Sequence, residues 1–203
     1  MTTPIQHKGK QLDHIARTTF DSEAQSIEFY QIAKNRLLHP YEWYRIAKVP
    51  GARFVLTDQQ GRDLIRKMRK GDLLRIDIPG PGSSIGDGYD WVEIEEIEET
   101  ISQSSGESCS VTVRPTQNPR QRETDEVAHF FKHISSSTFL VKRTQNVVQA
   151  EYHGRNELIN LDSTTLTDKI RNALVGIMAK LGVSTPQWKG LIEGFVDTKL
   201  KAE

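Results

Sequence analysis

The sequence predicts an α+β fold in which a curved antiparallel sheet or partial β-barrel is covered by an N-terminal helix and a C-terminal helical hairpin. Apolar residues recur at helical spacing near both ends of the chain, over residues 22–38 and 166–196. Between these regions, residues 53–152 hold several segments in which apolar and polar residues alternate, as in half-buried strands. Because these segments mostly follow one another through turns, antiparallel pairing is favoured over βαβ units.

The first helix is predicted over residues 22–38. Ser22 and Gln25 have the spacing of a capping box, in which side chains satisfy free backbone N–H groups. Pro40 ends the helix, because the residue before a proline is displaced from helical geometry. The apolar stripe of this helix comprises Ile27, Phe29, Tyr30, Ala33, Leu37 and Leu38.

Seven further segments are predicted as strands, after an aromatic segment at residues 41–47 that fits either a short helix or a strand. The strands are residues 53–57, 62–66, 73–78, 89–98, 110–114, 138–143 and 147–152. A glycine- and proline-rich loop covers residues 79–88, and a short helix is predicted within residues 124–134. The last two strands form a hairpin.

The C-terminal region is predicted as two packed helices. The first carries an apolar stripe from Leu166 to Leu181 and ends at Gly182. The second begins with another capping-box spacing, Ser184 and Gln187. Its apolar stripe comprises Trp188, Leu191, Ile192, Phe195 and Val196.

The domain organisation follows from the length and from where periodicity is missing. Residues 1–19 are polar and aperiodic, so we expect a flexible tail. Residues 20–203 fit a single α+β domain, with a possible sub-boundary near residues 116–124, where the chain is polar and contains a proline.

Composition excludes several classes of protein. The chain has 27 basic and 27 acidic residues, and its single cysteine cannot form an intrachain disulfide. No apolar run approaches the roughly 20 residues that span a bilayer, and the first ten residues lack the apolar core of a signal peptide. We therefore predict a soluble cytoplasmic protein with no membrane association.

Charge is distributed unevenly along the chain. Residues 76–107 hold nine acidic and no basic side chains, whereas residues 66–70 hold four basic ones. Solvated faces that complement each other within the fold or between subunits account for this pattern, and a patch for an acidic partner is the alternative. Nucleic acid needs a broader positive surface than residues 66–70 provide.

The densest cluster of functional side-chain types is His153, Arg155, Asn156 and Glu157, placed where a predicted strand opens into a polar connection over residues 153–163. Arg155 can clamp a carboxylate or phosphate with its guanidinium fork. His153 or Glu157 can move a proton. The alternative is a loop held by internal hydrogen bonds and an Arg–Glu pair.

A second candidate region comprises Tyr89, Asp90 and Trp91, which follow the glycine-rich loop and can line a pocket. The alternative places Trp91 in the core. Tyr41, Trp43 and Tyr44 provide amphipathic contact area typical of interfaces, or pack the first helix on the sheet.

His129 and His133 lie four residues apart, the spacing that puts two imidazoles on one helix face. A metal site needs a third ligand that the sequence does not identify, so we predict no metal and no cofactor.

Two functional hypotheses follow. The first is a non-catalytic binding or interaction module that self-associates or joins a larger assembly, with a homo-oligomer or protein partner. The second is a small-molecule-binding protein or enzyme that holds an anionic ligand in a pocket near Arg155. The sequence leaves enzymatic activity open.

Overall fold

The computed structural model describes residues 3–47, 53–77, 86–102, 106–121, 127–128, 131–158 and 185–200. Its strands are β1 (Lys10–Thr19), β2 (Arg53–Thr57), β3 (Leu73–Asp77), β4 (Asp90–Ser102), β5 (Gly106–Pro115), β6 (Ser136–Thr144) and β7 (Val147–Glu157). The helices are α1 (Glu23–Leu38), α2 (Trp43–Ile46), which follows a 3-10 turn at Pro40–Glu42, and α3 (Thr185–Phe195).

The strands form one antiparallel sheet with the order β1-β7-β6-β5-β4-β3-β2. The sheet is open, because its edge strands β1 and β2 do not pair with each other. The predicted α+β class and antiparallel sheet are therefore confirmed, in the form of an open seven-stranded sheet.

The N-terminal helix is confirmed with the predicted cap. The Ser22 side chain accepts a hydrogen bond from the backbone N–H of Gln25, and α1 ends at Leu38, two residues before Pro40. The predicted stripe is buried except at Ile27, whose side chain is exposed. The ambiguous aromatic segment forms a turn and a short helix instead of a strand.

Two strand predictions are wrong at the edges of the sheet. Lys10–Thr19, which the sequence places in a tail, form strand β1 and pair with β7 along its length. Residues 62–66 form no strand, and only an isolated bridge joins Asp63 to Thr57. Instead β2 pairs with β3.

Two connections also differ from the prediction. Among residues 124–134, the described ones, 127–128 and 131–134, are not helical. The polar connection expected from residue 153 begins later, because β7 continues to Glu157. The first C-terminal helix and the joint of the predicted hairpin lie outside the described residues, whereas the second is confirmed as α3. The division into domains stays a prediction.

One face of the sheet, which we call the inner face, carries the main core. Helix α1 contacts β5, β6 and β7, and α3 contacts β1, β7 and α2. The core has an aromatic centre in which Trp43 packs against Phe54, Phe139 and Phe195, with ring centroids 4.9–5.8 Å apart. Within the described part of the chain, no helix is long and apolar enough to cross a bilayer.

Candidate functional site

The end of β7 sends its charged side chains to opposite faces of the sheet. Asn156 has a φ of 54°, and the register with β1 shifts beside it. The Asn156 side chain accepts hydrogen bonds from the backbone N–H groups of His7 and Lys8, which ties the N-terminal segment to this bulge. As a result Arg155 lies on the outer face, while Glu157 reaches the core side of Tyr152.

On the outer face, five side chains from three adjacent strands form what we call the outer charge network. They are Asp13 of β1, Lys142 of β6, and Glu151, His153 and Arg155 of β7. The His153 ring lies between two carboxylates, with Nδ1 2.6 Å from Asp13 and Nε2 2.8 Å from Glu151. Arg155 contacts Asp13 at 2.7 Å, and Lys142 contacts Glu151 at 2.6 Å.

These contacts favour the charged forms of Asp13, Glu151 and His153. The hydrogen bond from His153 is the main cause that lowers the pKa of Glu151 to about 2, with Lys142 adding to it. Burial opposes ionisation of Asp13, but hydrogen bonds from Gln11, His153 and Arg155 outweigh it and lower its pKa to about 2. The hydrogen bond to Glu151 raises the pKa of His153.

We expect the stabilising effect of His153 to depend on pH. Because its folded-state pKa is raised, its contribution is full below the unfolded pKa of 6.5 and is lost as pH rises through the folded pKa. Asp13 and Glu151 stabilise the fold as carboxylates, and their folded-state pKa values are lowered to about 2. Their contribution to the free energy of unfolding is therefore lost as pH falls toward about 2. Urea unfolding of wild type and His153→Gln should differ most between these limits.

The control for this experiment is His7→Gln, which removes an exposed imidazole. A stability difference between wild type and His153→Gln that stays constant from pH 6 to 9 would mean that the imidazolium contributes nothing.

On the inner face, four side chains form what we call the inner polar cluster: His14 of β1, Ser137 of β6, and Tyr152 and Glu157 of β7. The Tyr152 hydroxyl lies 3.0 Å from the Ser137 hydroxyl and donates to Glu157 Oε1 at 3.2 Å. The His14 ring stacks on Tyr152 at 6.3 Å, and its buried Nε2 has no hydrogen-bond partner within the described residues. Trp188 of α3 stacks on Tyr152 at 5.1 Å, with 12° between the ring planes.

Burial controls the charge state of this cluster. The Glu157 residue is only 6% exposed, and burial raises the pKa of its carboxyl group. Burial also raises the pKa of the Tyr152 phenol well above its ordinary value, and it lowers the pKa of His14. All three shifts favour neutral groups, which can donate and accept hydrogen bonds inside the core.

Gly154 makes room for the cluster. A Cβ atom at this position would overlap with Glu157 Oε1 and would lie 3.1 Å from the Tyr152 hydroxyl. The carboxyl group of Glu157 therefore occupies the space that a side chain at residue 154 would fill.

The second predicted region lies apart from the first. Trp91 is buried with Leu73 and Ala128 in a small cluster of its own, and its indole N–H donates to the Gly86 carbonyl. Arg75 lies over the ring of Tyr89 at 5.1 Å, and Asp90 is buried. Because β5 and β6 separate β4 from β7, roughly 14 Å lies between β4 and the strand that carries His153 and Arg155.

The remaining candidates are distributed over other surfaces. Trp43 is fully buried in the core, whereas Tyr41 and Tyr44 are about half exposed. In the basic segment at residues 66–70, Arg66 is held by Asp72 at 2.6 and 2.9 Å. The acidic segment at residues 76–107 is partly neutralised within the chain, because Glu95 pairs with Arg114.

For the predicted histidine pair, His129 lies outside the described residues, and His133 lies in a turn. Among the described residues, no group of three or more His, Cys, Asp or Glu side chains could hold a metal ion.

Sequence reasoning missed three of the five side chains of the outer charge network and three of the four of the inner polar cluster. Asp13 and His14 were assigned to a tail, and Glu151 and Tyr152 were treated only as part of a strand. The available signal was the alternation Leu12, His14, Ala16 and Thr18, which matches the half-buried positions of β1. Histidine, alanine and threonine are too weakly apolar for that pattern to be recognised.

Comparison with known proteins finds distant structural likeness only. No family model and no curated protein matches the chain. A hypothetical protein from Helicobacter pylori is similar with a TM-score of 0.47 and 10% identity, over 95% of this chain and 96% of that one. Norcoclaurine synthase from Thalictrum flavum, solved with dopamine and hydroxybenzaldehyde, has a TM-score of 0.36 and 12% identity, over 91% and 98%.

Major latex-like protein 151 from Panax ginseng has a TM-score of 0.34 and 15% identity, over 85% of this chain and 96% of that one. At TM-scores below 0.5, these likenesses do not indicate what this chain binds.

Proposed function

We propose that the chain is a binding protein for a small molecule, held between the inner face of β1, β7 and β6 and helix α3. The ligand has a flat apolar body and a polar group that hydrogen bonds to the inner polar cluster. The observation that carries this proposal is the buried, hydrogen-bonded Tyr152–Glu157 pair inside an aromatic core, beside the Nε2 atom of His14, which has no hydrogen-bond partner among the described residues.

A buried polar cluster gives a lower free energy of unfolding than an apolar core of the same shape would. Removing a polar group from water is unfavourable unless it is well hydrogen bonded, and leucine or phenylalanine would fill the same space at lower cost. Buried groups with strongly shifted pKa values concentrate at functional sites for this reason. We therefore attribute the cluster to binding instead of packing.

The surroundings of the cluster define the class of ligand. The Tyr152 ring is buried and stacks on Trp188, whereas Trp188 is only partly buried, so a flat ring of the ligand would stack against Trp188. Burial raises the pKa of Glu157 and lowers the pKa of His14, so this site suits a hydroxyl, phenol or amide better than a charged group. The anionic ligand expected near Arg155 is less well supported, because Arg155 is paired with Asp13 on the outer face.

The proposal predicts opposite effects on binding and on stability. Glu157→Leu removes the buried carboxyl group, and we expect unchanged or higher thermal stability together with at least about a tenfold loss of ligand occupancy. Tyr152→Phe removes only the hydroxyl and should also lower occupancy. Native mass spectrometry of protein purified gently from its own host measures occupancy, and thermal unfolding measures stability.

The matched control is Glu96→Leu, which changes an exposed carboxylate on β4 and should leave ligand occupancy as in wild type. The proposal fails if wild type carries no small molecule and also does not bind anilinonaphthalenesulfonate. It fails equally if Glu157→Leu keeps full occupancy.

A further inference from the structure

The two edges of the sheet differ in how they are covered. At the β2 edge, the segment after the strand folds back, and the backbone N–H of Leu64 donates to the Leu56 carbonyl at 2.8 Å. Asp63 also forms a bridge with Thr57. Along β1, no comparable segment of the described chain pairs with the outer edge, so within the described residues this ten-residue strand has a partner strand on one side only.

The ladder between β1 and β7 determines which backbone groups face that open edge. The backbone N–H of Phe20 donates to the Asn146 carbonyl at 2.9 Å, so Phe20 points toward β7. Backbone direction alternates along an antiparallel strand, so Thr18, Ala16 and His14 also point toward β7. The N–H and C=O groups of residues 13, 15 and 17 therefore point to the open edge.

We propose that β1 pairs with β1 of a second copy of this chain, antiparallel, around a twofold axis at Ile15. The two seven-stranded sheets then become one continuous sheet. In this register Ile15 lies opposite Ile15 of the second copy. Asp13 lies opposite Arg17 of the second copy, and Gln11 lies opposite Thr19.

The exposed side chains of β1 fit this arrangement. Ile15 is 61% exposed, a high value for an isoleucine on a sheet. Arg17 is exposed and has no hydrogen bond or ion pair with any described residue. Asp13 holds a charge on the same face, with a 36% exposed side chain. A second copy supplies partners that Ile15 and Arg17 do not have among the described residues: Ile15 packs against its own counterpart, and Arg17 attracts the opposite charge of Asp13 directly across the strands.

The charges also select one register among those that keep the backbone groups paired. If one β1 strand is shifted by two residues along the β1 strand of the second copy, Ile15 lies opposite Asp13 or opposite Arg17, depending on the direction of the shift. A further shift places like charges opposite each other, Asp13 with Asp13 or Arg17 with Arg17. Only the register centred on Ile15 joins apolar to apolar and acid to base.

The consequence for the outer charge network is that it crosses the interface. Arg17 of the second copy extends the chain of contacts from Asp13 through His153 to Glu151. The interface lies at the edge and outer face of the sheet, and the inner polar cluster is not part of it. Self-association and ligand binding are therefore separable by mutation.

Sedimentation equilibrium of the full chain tests the proposal. Wild type should form a dimer, and Arg17→Glu should raise the dimer dissociation constant at least about tenfold, because two symmetric pairs change from attraction to repulsion. The matched control is Lys189→Glu, the same charge reversal on the exposed side of α3. A monomeric wild type, or a dimer unaffected by Arg17→Glu, overturns the proposal.

A positive test uses cross-linking. Ile15→Cys places two thiols on opposed residues whose Cα atoms lie about 5.5 Å apart, within reach of a disulfide. Oxidation should give a covalent dimer, whereas Ile101→Cys, also highly exposed, should not. The native Cys109 is buried, and burial raises the pKa of its thiol to about 12, so it does not compete. Equal cross-linking of both variants contradicts the β1 interface.

Proline substitution separates edge pairing from folding. Ile15→Pro removes an N–H that points to the open edge, so the monomer should fold and the dimer should be lost. Ala16→Pro removes an N–H that points to β7 and should destabilise the monomer itself. A dimer that persists in folded Ile15→Pro rules out backbone pairing along β1.

Discussion

Replacing Arg36 by alanine is expected to lower the free energy of unfolding by about 3 kcal/mol or more. Arg36 lies in α1, is 5% exposed, and directs its guanidinium group at the end of α3. Its N–H groups donate to the carbonyls of Gly194, Phe195, Asp197 and Leu200 at 2.6–3.2 Å. Without Arg36, buried carbonyls at the end of α3 lose their donors, which costs more than the bonds themselves contribute.

Urea unfolding followed by circular dichroism measures this loss. Arg45→Ala is the control. Arg45 is half exposed and forms a long ion pair of 3.7 Å with Glu42, and such surface pairs contribute less than about 1 kcal/mol. Arg36→Lys retains the charge without the planar fork and should recover part of the stability. Equal effects of Arg36→Ala and Arg45→Ala would show that α3 is not anchored through Arg36.

The anchoring of α3 also bears on the proposed function, since α3 places Trp188 on Tyr152. If α3 loosens in Arg36→Ala, the flat surface of the proposed site is lost together with stability. Ligand occupancy should then fall in this variant even though Arg36 is not part of the inner polar cluster.

The elements that could be predicted are those whose own side chains specify them. Helix α1 combines a capping serine, an apolar stripe and a proline stop, and α3 combines Trp188, Leu191, Ile192 and Phe195 at helical spacing. The central strands alternate Leu74 with Arg75 or Val92 with Glu93, so their buried face is visible in the sequence. Each of these segments carries enough apolar residues to be recognised alone.

Strand β1 could not be predicted because its stability comes from its partner. Apart from Leu12, Lys10–Thr19 place only small or polar residues on the inner face, and their order depends on the ladder with β7. Conversely, residues 62–66 contain Leu64 and Ile65 in a strand-like pattern but pair only through a bridge and two backbone hydrogen bonds. Non-local pairing decided both cases, and single-sequence patterns do not contain it.

Non-local structure also limited how much of the candidate site could be predicted. His153, Arg155, Asn156 and Glu157 were identified by residue type, and all four have structural partners. What could not be foreseen is that the bulge at Asn156 separates Arg155 from Glu157, so that Arg155 pairs with Asp13 instead. The sequence contains the functional groups, whereas their distribution over two faces is set by a single left-handed residue.

Replacing Gly194 by alanine is the second large effect that the structure predicts. Gly194 lies where α3 crosses α2, and a Cβ atom there would overlap with the Ile46 side chain and with the Ile46 carbonyl oxygen. In an ordinary helix, alanine in place of glycine gains about 1 kcal/mol. Here the overlap involves backbone, which cannot rotate away, so we expect a net loss of about 2–3 kcal/mol.

Two further variants identify the cause of that loss. Glu193→Ala, at the preceding exposed position of α3, should change stability by less than about 0.5 kcal/mol. In an Ile46→Ala background, Gly194→Ala should remain destabilising, because the side-chain overlap is relieved while the carbonyl oxygen stays in place. If Ile46→Ala rescues Gly194→Ala completely, the contact depends on the side chain alone. If Gly194→Ala stabilises the protein, helix propensity outweighs the contact, and α3 is not held closely against α2.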